Sequence, residues 1–287
     1  MKRIITLLVF LLAVTTIFAQ DEYYNRDEEL VNDPAVSYDI NRPIETIQLT
    51  QPEIAPEAQF SSGRQSVNIP IAYPFGNLVL GANVPVQRIT ATSGDKSKSA
   101  IGIGDASVMA AYSGYLPNKV GMWDAQYAAD VSVKLPTGDK DNEIKIDGTN
   151  FATPMGTGSM DITAAGNLLL STASREILAD VKYRINGEDE DDIKNGNMLV
   201  LKGRYGFLDF EPKFNGYLGL QSVIVADGEA GSNTLESSMF LLDIAPELHY
   251  LTNYGMFRVG FTMPMITSSD TKFTREVTVR FGLSKQY

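Results

Sequence analysis

Sixteen ionisable side chains recur at alternate positions of extended runs between Asp105 and Arg280. The acids are Asp105, Asp124, Asp130, Asp161, Glu176, Asp180, Asp243, Glu247 and Glu276. The bases are Lys134, Lys182, Arg184, Lys202, Arg204, Arg258 and Arg280. Opposite charges gathered in a confined aqueous space either neutralise one another as an ion-pair network or form opposed rings that select ions by charge. The spacing leaves both open. The second reading predicts a constriction in which Lys182, Arg184, Lys202 and Arg204, on neighbouring segments, face an acidic wall at Asp124, Asp130 and Asp161. A separate run, Glu188, Asp189, Glu190, Asp191 and Asp192, offers oxygen ligands that suit Ca²⁺ or Mg²⁺. It lacks EF-hand spacing, and a solvated charge run is the plainer reading.

Other chemistry is excluded by composition. The chain has no cysteine, which removes disulfides, thiolate metal sites and cysteine nucleophiles. Its only histidine, His249, rules out a multi-histidine metal centre and leaves one base for acyl chemistry, with no Gly-x-Ser-x-Gly elbow to serve. The Gly156–Ser159 stretch is followed by no Gly-Lys-Ser/Thr and is no phosphate loop. A net charge of -11 and a pI near 4.6 leave nothing to neutralise a nucleic-acid backbone. The expectation is a non-enzyme with no cofactor and no nucleic-acid partner.

These charges must be held by strands. From Met122 to Leu135, Trp123, Ala125, Tyr127, Ala129, Val131, Val133 and Leu135 share one face. Asp124, Gln126, Asp130, Ser132 and Lys134 share the other, with Met122 and Ala128 as exceptions. Period two over 14 residues is a strand pattern that a helix would smear around its circumference. It recurs in the segments around Ile162, Ile177, Leu199, Phe240, Phe257 and Val277. The alternating runs last 12 to 16 residues, longer than the roughly 5–6 typical of soluble strands and long enough for a membrane-spanning barrel, which needs roughly 9–11.

The connections agree. Short ones fall at Pro74–Gly76, Pro117-Asn118, Thr172–Ser174, Asp209–Pro212 and Thr252-Asn253, and longer ones at Ala91–Ala100, Thr137–Met155, Gly187–Gly196 and Ala226–Glu236. A short connection at Ser268–Thr271 is the exception. Aromatic side chains gather beside the short turns, among them Tyr73, Phe75, Tyr115, Phe207, Phe214, Tyr250, Tyr254 and Phe257, as a membrane interface selects. Eleven strands can be placed between Gly63 and Tyr287. Closed bacterial barrels use even counts, so a twelfth is predicted between Ile44 and Phe60. The expected fold is all-β: a closed antiparallel transmembrane β-barrel of about 12 strands (range 10–14) over residues 43–287.

Residues 1–19 read as a secretory signal, with Lys2 and Arg3 before the apolar Ile4–Phe18 stretch and Ala19 at the cut. Residues 20–42 read as a flexible acidic arm. Asp21–Phe60 holds ten acids against Arg26 and Arg42, and is punctuated by Pro34, Pro43, Pro52 and Pro56. An exported, cysteine-free chain of this pattern is expected in the outer membrane.

Three stretches carry a family resemblance: "GIGDASVMAAY" (Gly102–Tyr112), "DVSVKLPTGD" (Asp130–Asp139) and "GTGSMD" (Gly156–Asp161). They resemble the outer-membrane barrel family assigned to transport in the phenol-degradation meta pathway, and the similarity covers most of Ser61–Tyr287. The resemblance implies an outer-membrane barrel passing small, aromatic or apolar, solutes. The partners it implies are outer-membrane lipid and lipopolysaccharide, the barrel-assembly machinery (which the terminal aromatic Tyr287 suits) and the solutes themselves. Two alternatives stand beside a passive channel: a closed, structural or partner-binding barrel, and a secreted soluble β-domain, against which strand length argues.

Overall fold

The computed structural model describes residues 51–61, 63–211, 213–235, 237–269 and 277–286. Contacts divide the chain into Met1–Asp33, which lies outside the described residues, and Pro34–Tyr287, which holds all the strands. The signal, the arm, Glu276 and Tyr287 also fall outside the described residues.

Twelve strands form one antiparallel ring, and among the described residues there is no helix. In chain order they are β1 (Glu53–Ile54 and Glu57–Phe60), β2 (Arg64–Phe75), β3 (Leu78–Ser93), β4 (Lys96–Ile103 and Ser107–Tyr115), β5 (Asp124–Lys134), β6 (Asp161–Ser171), β7 (Arg175–Ile185), β8 (Met198–Glu211), β9 (Phe214–Val225), β10 (Met239–Thr252), β11 (Gly255–Ser269) and β12 (Thr278–Gln286). Each pairs with its sequence neighbours, and β12 closes on β1 through Val279↔Phe60 and Gly282↔Glu57. Closure satisfies the backbone without an edge, the condition for crossing lipid with strands. The strand required by parity is β1. It is broken at Ala55-Pro56, where Pro56 has no N–H to donate, yet its carbonyl still accepts from Leu283 N at 2.9 Å.

The faces are inverted relative to a soluble sandwich. Val131, Val181, Tyr183 and Ile185, which point outward, are about half exposed. Asp130, Asp180, Lys182 and Arg184, which alternate with them, are buried at 6–9 % exposure. Apolar out and polar in is the transmembrane-barrel arrangement. Tyr73, Phe75, Tyr115, Phe207, Tyr254 and Phe257 are all exposed at the end where the short turns lie.

At the other end the structure corrects the reading of the loops. Ala91–Ala100 is strand on both sides of a two-residue turn at Gly94-Asp95, with Ser93↔Lys96 as the last pair. Both faces there are polar, so no alternation marked it. Thr137–Met155 contains a hairpin, Glu143–Ile146 with Thr149–Ala152, turning on Asp147-Gly148. Both turn residues have positive φ (52° and 93°), which an Asp-Gly pair tolerates and most residues resist. The loop between β9 and β10 likewise holds a small hairpin, Gly228–Ala230 with Asn233–Leu235. The connection expected at Ser268–Thr271 runs from the end of β11 at Ser269 to the start of β12 at Thr278, mostly outside the described residues.

Candidate functional site: the inner face of the barrel

Cross-strand register decides which inward side chains meet, and it assembles two belts. In the first, across the middle of the wall, Asn167 of β6 lies opposite Asp180 of β7, Asp180 opposite Lys202 of β8, Lys202 opposite Gln221 of β9, and Gln221 opposite Asp243 of β10. Asn167 donates to Asp130 at 3.3 Å, and Lys182 approaches Asp180 at 3.4 Å. Acids and bases therefore interleave along the belt rather than facing one another as two separate walls.

The second belt lies nearer the short turns. Arg204 donates to Glu176 at 2.8 Å and places its guanidinium 4.4 Å from the centre of the Tyr217 ring. Tyr217 in turn lies 4.4 Å from the His249 ring. His249 Nε2 is hydrogen-bonded to Glu247, whose other oxygen is 3.9 Å from Arg280. Arg258 is the direct neighbour of His249 on β11. Gly206 makes this possible: a Cβ there would sit 2.6 Å from the Tyr217 ring.

A third region was not foreseen. Met198 and Val200 of β8, Val223 and Val225 of β9, and Met239 and Leu241 of β10 form a buried apolar cluster on the inner face, towards the long-loop end. The inner surface is thus not polar throughout. The signal was present where residues of both parities are apolar, in Met198–Leu201, Val223–Ala226 and Met239–Leu242. Arg184 lies opposite Met198 and Lys182 opposite Val200, so two cations border this cluster.

At the long-loop rim, the three stretches quoted for the family resemblance converge. Asp105 accepts from Gly138 N at 3.0 Å and Thr157 N at 2.8 Å, and pairs with Lys134 at 3.3 Å. Lys134 also pairs with Asp161 at 2.6 Å and contacts Thr157, while Ser159 donates to Asp161 at 2.9 Å. This knot pins both ends of the long loop at residues 135–160. The loop's hairpin packs Ile144 and Ile146 against Ala91 of β3, and Arg64 of β2 holds Pro154 O at 2.9 Å.

Two sequence-derived candidates lie elsewhere. Asp124 is exposed at the short-turn end, paired with Lys119 at 3.0 Å, and is no part of an inner acidic wall. The acidic run receives an ammonium: Lys140 Nζ lies 3.4 Å from Asp189, 3.4 Å from Glu190 and 2.5 Å from Asp191. Asp189 also accepts from the backbone N–H of Asp191 and Ile193, both at 2.9 Å. Burial alone would raise its carboxyl, but these donors and Lys140 hold it below the usual carboxylate range. The hydrogen bond to Asp191 holds the Lys140 ammonium above the usual lysine range. Among the described residues no cluster of carboxylates and histidines is placed to hold a metal ion.

No family model matches the chain, so the phenol-pathway resemblance stands on the quoted motifs alone. No curated protein matches it either. Among solved structures, the chain is similar to the crystal structure of an outer membrane channel from Pseudomonas putida, with a TM-score of 0.67 at 11% identity, covering 85% of this chain and 99% of the other. It also aligns with the NanC porin at a TM-score of 0.48 and 9% identity, covering 82% of this chain and 100% of the porin. The first of these shows that the fold is an outer-membrane barrel fold.

Proposed function

We propose that this chain is an outer-membrane channel for small solutes, with a charged inner face and a preference for solutes carrying aromatic or apolar parts. One observation carries the reading: a closed twelve-strand ring that buries its charged side chains inside and leaves its apolar ones outside. The channel named among its structural neighbours supports it. The inner cluster around Val223 and Leu241 supports the apolar part, since it places six apolar side chains on the inner face beside Lys182 and Arg184. In this reading the short turns face the periplasm, the long loops face lipopolysaccharide, and the chain reaches the membrane through its signal and the barrel-assembly machinery.

Single-channel recording of the refolded mature chain in planar bilayers tests it. Discrete conductance steps are expected, and charge reversal at Asp130 or Arg204 should change the reversal potential in a salt gradient. A second reading, a barrel with a closed lumen that binds partners, is favoured by the tight burial of the inner belts: Asp243 and His249 are each only 1 % exposed. A folded, heat-modifiable barrel that never conducts and excludes apolar solutes in vesicle uptake would establish that reading instead.

A further inference from the structure

We propose that His249 sets the charge of the lumen's short-turn half, so that the ion preference of the barrel changes with pH. The inference rests on the channel reading above and adds a selectivity-determining residue to it.

His249 is the chain's one histidine, and it sits inside the ring rather than on the surface. Charged side chains adjoin it on its own strand and on β11, and uncharged ones on β9. On its own strand Glu247 is its hydrogen-bond partner. On β9 it faces Asn215 across the register and Tyr217 by ring contact. On β11 its neighbour is Arg258, whose guanidinium lies over Gly282 of β12, and Gly282 is paired in register with Glu57 of β1. Arg280 flanks Glu247, and behind Tyr217 stand Arg204 and Glu176.

Beside the imidazole stand the acids Glu57, Glu176 and Glu247 and the bases Arg204, Arg258 and Arg280, with Glu53 buried further along the same strand as Glu57. Protonation of the imidazole adds one positive charge to this half of the lumen. Arginine stays charged throughout, and the imidazole is the group here whose ordinary range lies between about pH 5 and 8. The cluster is poorly solvated, and a single added charge in such a place acts on a passing ion more strongly than the same charge at the surface. The Tyr217 ring stands between the two cations, its centre 4.4 Å from the His249 ring and 4.4 Å from the Arg204 guanidinium, so an imidazolium and that guanidinium are close neighbours across one ring.

The test uses the full mature chain without a histidine tag, in planar bilayers under a KCl gradient at about pH 8 and about pH 5, which bracket an ordinary imidazole. The wild type is expected to shift severalfold towards chloride on acidification. His249→Gln, with His249→Asn as a second variant should the first fold poorly, is expected to show the same preference at both values. An unchanged wild-type preference, or an equal shift in the variants, overturns the proposal. Because there is one histidine, ¹⁵N-histidine labelling of the same barrel in lipid gives one imidazole signal. That signal should titrate between those values and move in Glu247→Gln. Titration in a barrel that carries no current would sink the channel reading while leaving the charge switch standing; an imidazole that does not titrate sinks the switch itself.

Discussion

Tyr217 occupies its place because of what is missing opposite it. Gly206 on β8 has no side chain, and the ring lies across the space, closing the chain of contacts from Glu176 through Arg204 to His249. Replacing Gly206 by valine puts carbon where the ring now is, and overpacking of this kind costs about 1–3 kcal/mol. Gly203→Val on the same strand is the control, since a Cβ there meets nothing within 4 Å and points outward. Equilibrium urea unfolding in lipid vesicles should therefore separate the two variants. Equal losses would mean that strand propensity, and not the Tyr217 contact, governs Gly206.

At the scale of elements, the two long loops are clamped to each other by Lys140 and the acidic run, and the pKa shifts define where the clamp holds. Asp189 is depressed in the fold, so its contribution is present above the unfolded carboxylate value and is lost as pH falls through its lower folded value. Lys140 is raised, so its contribution is present below the unfolded lysine value and is lost only well above about pH 10. Limited proteolysis of the hairpin Glu143–Ala152 should be slow at neutral pH and fast in Lys140→Glu, and with acid-stable pepsin the difference in cutting rate between the two should narrow as the pH is lowered through the carboxylate range. Indifference of the cutting rate to Lys140 would show that Arg64 and the rim knot hold the loop unaided.

How far such elements could be read from residues alone depended on their surroundings. The strand β5 was plain because lipid on one side and charge on the other force its alternation. The first strand emerged only from parity, since Pro52 and Pro56 break its pattern. The outer ends of β3 and β4 are polar on both faces beyond Ala91, which the loop hairpin covers, and so carried no period. Among the candidate site residues, the inward positions followed from alternation. Their partners did not: that Lys134 meets Asp105 and Asp161, or that Arg204 meets Glu176, depends on register and loop path, which period two does not encode.

For the whole molecule, the question of which face meets lipid decides between a membrane barrel and any water-soluble alternative, and depth provides the test. Val181, midway along β7, and Ile185, at its end, are both 50% exposed, so exposure gives no reason for them to respond differently to charge. In water, arginine at either site would be accepted alike. In a bilayer, arginine at the midplane costs ~2–4 kcal/mol and close to the interface only ~0–1. Val181→Arg is therefore expected to lose most of that difference in folding free energy relative to Ile185→Arg, measured by reversible folding into thin-acyl-chain vesicles. The asymmetry should shrink as the bilayer is made thinner, because the midplane then lies closer to the headgroups. Equal costs at the two positions would remove the membrane from the account of this fold and leave the inverted faces without a physical cause.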